Sequence, residues 1–269
     1  MKDRQPHMRL PNKGEKMNYK NEISKQLKNL SGKQNISTIF FDWVHLMAYT
    51  ISNSVDKTQF DSREAEYVEI IGKYTKTESD VFVKCFCLLV QAFDRKVTDW
   101  LGEIYMDLEI SNKDSGQFFT PYGISRLMSE LTLTENEPLI EEKGWLGYYE
   151  PACGAGSMII AFTQAMERKG YNYQQQLRVL CEDIDENCLL MAYVQLSLLG
   201  VNAVCEVKDS ISKEKFSTWY TPFHMINPKY LFPEKNSDQE EKINPLLQIE
   251  NKLEEEWTPP TDAEQLVLF

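Results

Sequence analysis

Histidine is nearly missing from this sequence, with only His7, His45 and His224 among 269 residues. The six cysteines (Cys85, Cys87, Cys153, Cys181, Cys188 and Cys205) are scattered through apolar segments, and no C-x-x-C pair occurs. These two absences argue against a zinc centre and for free, mostly buried thiols in a reducing compartment. No apolar run approaches the roughly 20 residues of a membrane span, and the N-terminus carries charge where a signal peptide needs an apolar stretch. A cytoplasmic protein with no membrane partner is therefore expected. Net positive charge is also lacking: the chain carries −12. The balance is uneven, with nine Lys/Arg against three Asp/Glu in residues 1–34, and ten acidic against three basic residues from Glu234 to Glu264. A protein that grips nucleic-acid phosphates normally presents basic surface. The composition thus speaks against tight autonomous binding of that kind, unless the basic leader or a partner supplies the cations.

What is present divides into four stretches. Residues 1–34 read as a polar, basic leader. Residues 35–112 read as a helical domain. Trp43, Leu46 and Met47 mark one helix, and Val68, Ile70 and Ile71 another. Phe82, Phe86, Leu89, Val90, Phe93, Val97, Trp100, Leu101 and Ile104 recur at steps of three and four along a single stripe. Residues 113–233 alternate strand and helix, and residues 234–269 form an acidic tail expected to be disordered. Pro121 suits the first turn of a helix whose inner face would carry Ile124, Leu127, Met128 and Leu131. Strands follow at "GWLGYYEPA", "LRVLCEDID", "NAVCEVKDS" and "PFHMIN", with helices between the first three. Such alternation predicts an α/β fold with a parallel sheet and right-handed crossovers.

The strongest local signal is Glu150-Pro151-Ala152-Cys153-Gly154-Ala155-Gly156-Ser157, a strand that ends in an acid and turns through glycines into a helix. Glycines there let a ligand approach the backbone. The third glycine of a dinucleotide loop is absent, and the leading acid suits a cofactor with a cationic amino group better than one with phosphates. Asp183 and Asp185 end the second strand, where an acid can bind ribose hydroxyls, and Asp209 ends the third. Each alone reads as a solvated loop or a helix cap. Together they line one crevice at the carboxyl edge of the sheet.

Gly116-Gln117-Phe118-Phe119-Thr120-Pro121, then "EPACGAGS", "EDID" and "KDS", resemble the N6-adenine DNA methyltransferases, and most of all the modification subunits of type I restriction systems. The resemblance implies a Rossmann-like sheet preceded by a helical domain, S-adenosylmethionine as cofactor, and adenine in DNA as target. Under it, Phe119, Thr120 and Pro121 would pack on the methionine end of the cofactor. Glu150 would hold its amino group, and the loop through Ala152, Cys153, Gly154 and Gly156 would run alongside. Asp183 would bind the ribose and Asp209 the adenine. The family's Asn-Pro-Pro-Tyr loop, which accepts hydrogen bonds from the target amine and stacks on a flipped base, would here be Asn227, Pro228, Lys229 and Tyr230. Lys229 loosens that loop and adds a cation. Only 39 residues follow Tyr230, so the sheet is expected to stop after its fourth strand unless another chain, such as a specificity or second methyltransferase subunit, completes it.

The last five residues resemble the short peptide by which bacterial DNA enzymes bind the sliding clamp, through Gln265, Leu266, Leu268 and Phe269. Against that stands a tail strand packed on its own domain. Three functional readings follow: an adenine-N6 DNA methyltransferase of bacterial, phage or mobile-element origin; a silent relative that binds the cofactor or the clamp as an accessory protein; and an N-methyltransferase acting on RNA or a protein amide.

Overall fold

The computed structural model describes residues 17–32, 34–108 and 120–226. Five helices come first: α1 (Tyr19–Lys28), α2 (Ile36–Val55), α3 (Phe60–Ile71), α4 (Lys76–Arg95) and α5 (Trp100–Asp107). Four of the five, all but α3, start at a capping side chain. Asn35 accepts a hydrogen bond from Ser37 N, and Thr75 and Glu78 form a reciprocal capping box on α4. The long stripe from Phe82 to Ile104 is divided between two helices, because Lys96 is extended and Asp99 caps a new helix through Gly102 N. Helix α1 lies inside the stretch expected to be leader. Ile23 and Leu27, one turn apart, are fully buried, which docks this lysine-rich segment through a narrow apolar seam.

The second part runs α6 (Tyr122–Lys143), β1 (Leu146–Glu150), α7 (Ser157–Arg168), α8 (Tyr173–Gln176), β2 (Leu177–Asp183), α9 (Glu186–Leu199), β3 (Asn202–Lys208), β4 (Lys215–Tyr220) and α10 (Pro222–Ile226). The sheet order is β1-β2-β3-β4, with the first two pairs parallel as expected and β3–β4 antiparallel. This last pair corrects the sequence reading. The fourth strand is not "PFHMIN", whose first five residues form α10, but Lys215–Tyr220, returning from β3 through a tight turn. Thr218, Trp219 and Tyr220 have strong strand preference, whereas Pro222 suits a helix's first turn.

Helix α9 is buried on every side from Cys188 to Leu196, because the sheet lies on one flank and α2 on the other. Tyr49 of α2, Tyr193 of α9 and Trp219 of β4 meet there, with ring centroids 5.7 and 5.3 Å apart. The helices and the sheet therefore share one continuous core. The boundary expected at residues 112 and 113 falls outside the described residues.

Helix α6 inverts its expected face. Ser125, Ser129, Leu133 and Ile140 are the buried positions, while Ile124, Leu127, Met128 and Leu131 are 46–62% exposed. Small serines allow close approach to α7: Ser125 Oγ lies 2.9 Å from Ser157 Oγ, and Ser129 Oγ donates to the Met158 carbonyl at 3.2 Å. Glu130–Arg168 and Glu137–Lys169 ion pairs hold the same side. No helix among the described residues is long and apolar enough to cross a membrane.

Candidate functional site

The carboxyl ends of β1 and β2 are drawn together around the glycine loop. Cys153 N donates to the Glu182 carbonyl at 2.9 Å, and Gly154 N donates to Asp183 Oδ2 at 2.8 Å. Gly154 and Gly156 both have positive φ (53° and 88°), and Gly156 N closes the turn on the Cys153 carbonyl at 2.8 Å. A side chain at Gly156 would be strained and would meet Ala192 Cβ at 3.2 Å. The glycines thus serve both the turn and the close packing of α7 on α9.

Glu150 and Asp183 face this loop from adjacent strands. Burial pushes both carboxyls above their ordinary values; the Asp183 charge adds to the rise at Glu150 and the Asp185 charge to that at Asp183, while backbone N–H bonds from Ala152 to Glu150 and from Asp185 and Gly154 to Asp183 oppose the shift. Two half-buried acids on adjacent strand ends favour a cationic or multiply hydroxylated ligand between them. Asp185 N-caps α9 through Asn187 N at 2.9 Å. Asp209 opens the turn after β3, where its Oδ1 accepts from Ile211 N at 2.9 Å and Ser212 N at 3.2 Å. Those bonds hold its carboxyl below the ordinary value. The structure therefore brings Glu150, Ala152, Cys153, Gly154, Gly156 and Asp183 together, and gives Asp209 a turn-capping contact of its own.

Thr120 and Pro121 open α6 and are exposed; the Pro121 carbonyl accepts from Ile124 N at 2.8 Å. The Ser125–Ser157 contact sets this first turn beside the glycine loop. Cys153 is a buried thiol under the loop, pushed up by its hydrogen bond to Cys181 and by burial. Phe119, Asn227, Pro228 and Tyr230 lie outside the described residues, as does the C-terminal peptide Gln265, Leu266, Leu268 and Phe269. Ile226, just before Asn227, belongs to a helix held at the amino ends of the strands. Thr221 Oγ1 accepts from Ala203 N at 3.0 Å, and His224 Nδ1 lies 3.1 Å from Asn202 Oδ1. Along the strands, the Arg178–Asn202 row and the Asp183–Val207 row are five residues apart, about 16 Å.

Sequence reasoning missed the support beneath the crevice. Glu182 is fully buried and pairs with Lys208 Nζ at 2.9 Å; its Oε2 accepts from Tyr149 OH at 3.0 Å and Ser210 Oγ at 2.9 Å. The single Ser210 hydroxyl proton is shared between this carboxylate and the Pro151 carbonyl, so one network joins β1, β2 and the turn after β3. The first letter of "EDID" looked like a solvated acid; the register sets Glu182 opposite Glu206, and its partner Lys208 lies two residues further along β3 on the same face. Ile184, directly after Asp183, is 67% exposed at the rim and offers an apolar surface to a flat ring. Among the described residues, no His/Cys/Asp/Glu group could hold a metal ion.

The profile of the family described as N-6 DNA Methylase matches residues 96–263, well over half of the chain. The chain belongs to the N-6 DNA methylase family. A curated relative of this methylase family, the type I restriction enzyme MjaIX methylase subunit of Methanocaldococcus jannaschii, is 24% identical over 164 residues. That alignment covers 59% of this chain but only 28% of the relative's length. Two solved structures overlap it in part. One, described as a class I S-adenosylmethionine-dependent methyltransferase of Listeria monocytogenes, covers 70% of this methylase-family chain and 52% of its own at 12% identity, with a TM-score of 0.41. The other, a type I restriction-modification methyltransferase subunit of Streptococcus thermophilus, covers 72% and 44% at 14% identity, with a TM-score of 0.38.

Proposed function

We propose that this chain binds S-adenosylmethionine at the carboxyl edge of β1 and β2 and takes part in transferring its methyl group to N6 of adenine in DNA. The observation that carries the proposal is the Glu150–Asp183 pair across the glycine loop, within a chain of the N-6 DNA methylase family. The residues fit the cofactor. Glu150 would meet its ammonium group and Asp183 its ribose diol, and Ile184 would lie against the adenine ring. Thr120 and Pro121, with Phe119, would close on the methionine end. The adenine role of Asp209 rests on its place at the end of β3, since its Oδ1 is occupied by the turn. When bound, the cofactor supplies an electrophilic methyl group; the chain's residues orient it and exclude water.

The grip on the target amine falls to Asn227, Pro228 and Tyr230 under the family resemblance. Because α10 is fastened about 16 Å from the crevice along the strands, that role requires α10 to leave Asn202, or a second subunit to supply the grip. DNA, a specificity or second methyltransferase subunit, and a sliding clamp engaged by the C-terminal peptide complete the proposed set of partners.

Calorimetry with S-adenosylmethionine tests the cofactor site. Asp183→Ala is expected to weaken binding by about 1–3 kcal/mol through lost hydrogen bonds, and an unchanged affinity would remove Asp183 from the site. Mapping N6-methyladenine in a host lacking its own adenine methylation tests the reaction. A modified motif that disappears with Asn227→Ala supports the loop as the grip. A motif that persists in that variant assigns the grip elsewhere.

A further inference from the structure

Gln195 lies at the centre of α9, fully buried in a run that is otherwise almost wholly apolar. Its amide makes three bonds that reach two other segments at once. Oε1 accepts from Leu101 N at 3.0 Å, while Nε2 donates to Asp99 Oδ1 at 2.8 Å and to the Ala155 carbonyl at 2.8 Å. Ala155 is the residue between the two positive-φ glycines, so the third bond ends on the tip of the cofactor loop. Leu101 and Asp99 form the first turn of α5; Asp99 also accepts from Gly102 N at 2.8 Å.

A buried amide costs free energy unless every partner is present. A leucine or methionine would fill this place in an apolar helix with no such demand. The amide instead fixes three separate segments relative to one another: the start of α5, the middle of α9 and the glycine loop. The loop in turn aims Gly154 N at Asp183, the acid assigned to the ribose. Helix α5 precedes in sequence the Gly116–Pro121 motif assigned to the other end of the cofactor.

We infer that Gln195, braced by Asp99, is a positioning residue for the cofactor, coupling the glycine loop to the start of α5 so that ligand bound at the loop stiffens that helix. The inference rests on the cofactor reading given above. It touches neither the methyl group nor the target base.

The test uses the full chain and two readouts: affinity for S-adenosylmethionine by calorimetry, and hydrogen exchange of the α5 amides with and without it. Wild type is expected to bind and to show slower exchange at Leu101 and Gly102 when loaded. Gln195→Met keeps the volume and removes all three bonds; it is expected to bind about tenfold more weakly and to show no ligand-induced protection of α5. Asp99→Asn retains the accepting Oδ1 and is expected to stay within threefold of wild type with protection intact; loss of protection in this variant would show that the carboxylate charge, not the amide bond, carries the coupling. Gln195→Met that binds within threefold and still protects α5 overturns the inference while leaving the cofactor site standing. Wild type that binds no cofactor overturns both. Should Gln195→Met fail to fold, wild-type exchange decides alone, because bound ligand that leaves Leu101 and Gly102 unprotected rules out the coupling.

Discussion

Asp99 is a carboxyl that makes no ion pair among the described residues, buried at the start of α5 and pushed up to about 6 by desolvation against the bonds from Gln195 and Gly102. In the unfolded chain its value returns to about 3.9. Between these values the folded state holds the proton and the unfolded state does not, so the contribution of this group to stability falls as pH rises from 4 through 6. The expected size is about 3 kcal/mol. Urea unfolding across pH 4–7 should therefore show a pH-dependent component in wild type that Asp99→Asn lacks; identical slopes would place a compensating charge near Asp99. Gly156 makes the sharpest demand on backbone. With φ at 88° and Ala192 Cβ 3.2 Å from any added carbon, Gly156→Val should cost roughly 1–3 kcal/mol and weaken cofactor binding with it. Retained stability and affinity in that variant would show the turn to be adaptable. Both residues were unequally visible beforehand. Gly156 sat in a motif, whereas Asp99 and Gln195 lie 96 positions apart and nothing in their neighbours announces the contact.

At the scale of elements, the parallel strands were legible because buried strands read as apolar runs bounded by turn residues. The glycine loop was legible from its acid and its two glycines. The hairpin strand was not. Lys215 and Phe216 of Lys215–Tyr220 face solvent, Phe216 at 58% exposed, and only Trp219 is buried, while the more apolar "PFHMI" resembled a buried strand. Helix α6 misled for a related reason. Its aliphatic stripe looked like a core face, yet the serines on the other side permit the closer approach to α7. Leu127→Gln and Leu131→Gln should accordingly shift stability by less than about 0.5 kcal/mol each, as surface changes do. A loss of 2 kcal/mol or more in urea unfolding would mean that the stripe is covered. The hairpin itself is fastened to the helical layer by Arg63, which is ion-paired with Asp56 at 3.2 Å, stacked 3.8 Å from the Trp219 ring centroid and bonded to the Thr218 carbonyl at 2.8 Å. Asp56→Ala leaves that guanidinium buried without its anion and should cost roughly 3–5 kcal/mol, read from the same denaturation experiment.

For the whole molecule, charge and topology point the same way. The chain carries −12, concentrated away from residues 1–34, so a DNA reaction requires cations from the leader or from another polypeptide. If DNA is gripped by the basic leader, removal of residues 1–16 should weaken binding to duplex DNA and flatten its salt dependence; unchanged binding would assign the cations to a partner. The two flanks of the sheet are also unlike. Arg63 closes the flank of β4 at Thr218, whereas β1 pairs with β2 on one side and with no other strand among the described residues. Among the described residues both β1 and β4 are edge strands, and β1 is the one a further strand could meet without displacing Arg63. A strand that lengthened the sheet there would lie one spacing, about 4.8 Å, from the strand that ends in Glu150, so assembly and the chemistry of the methyl donor would share one address.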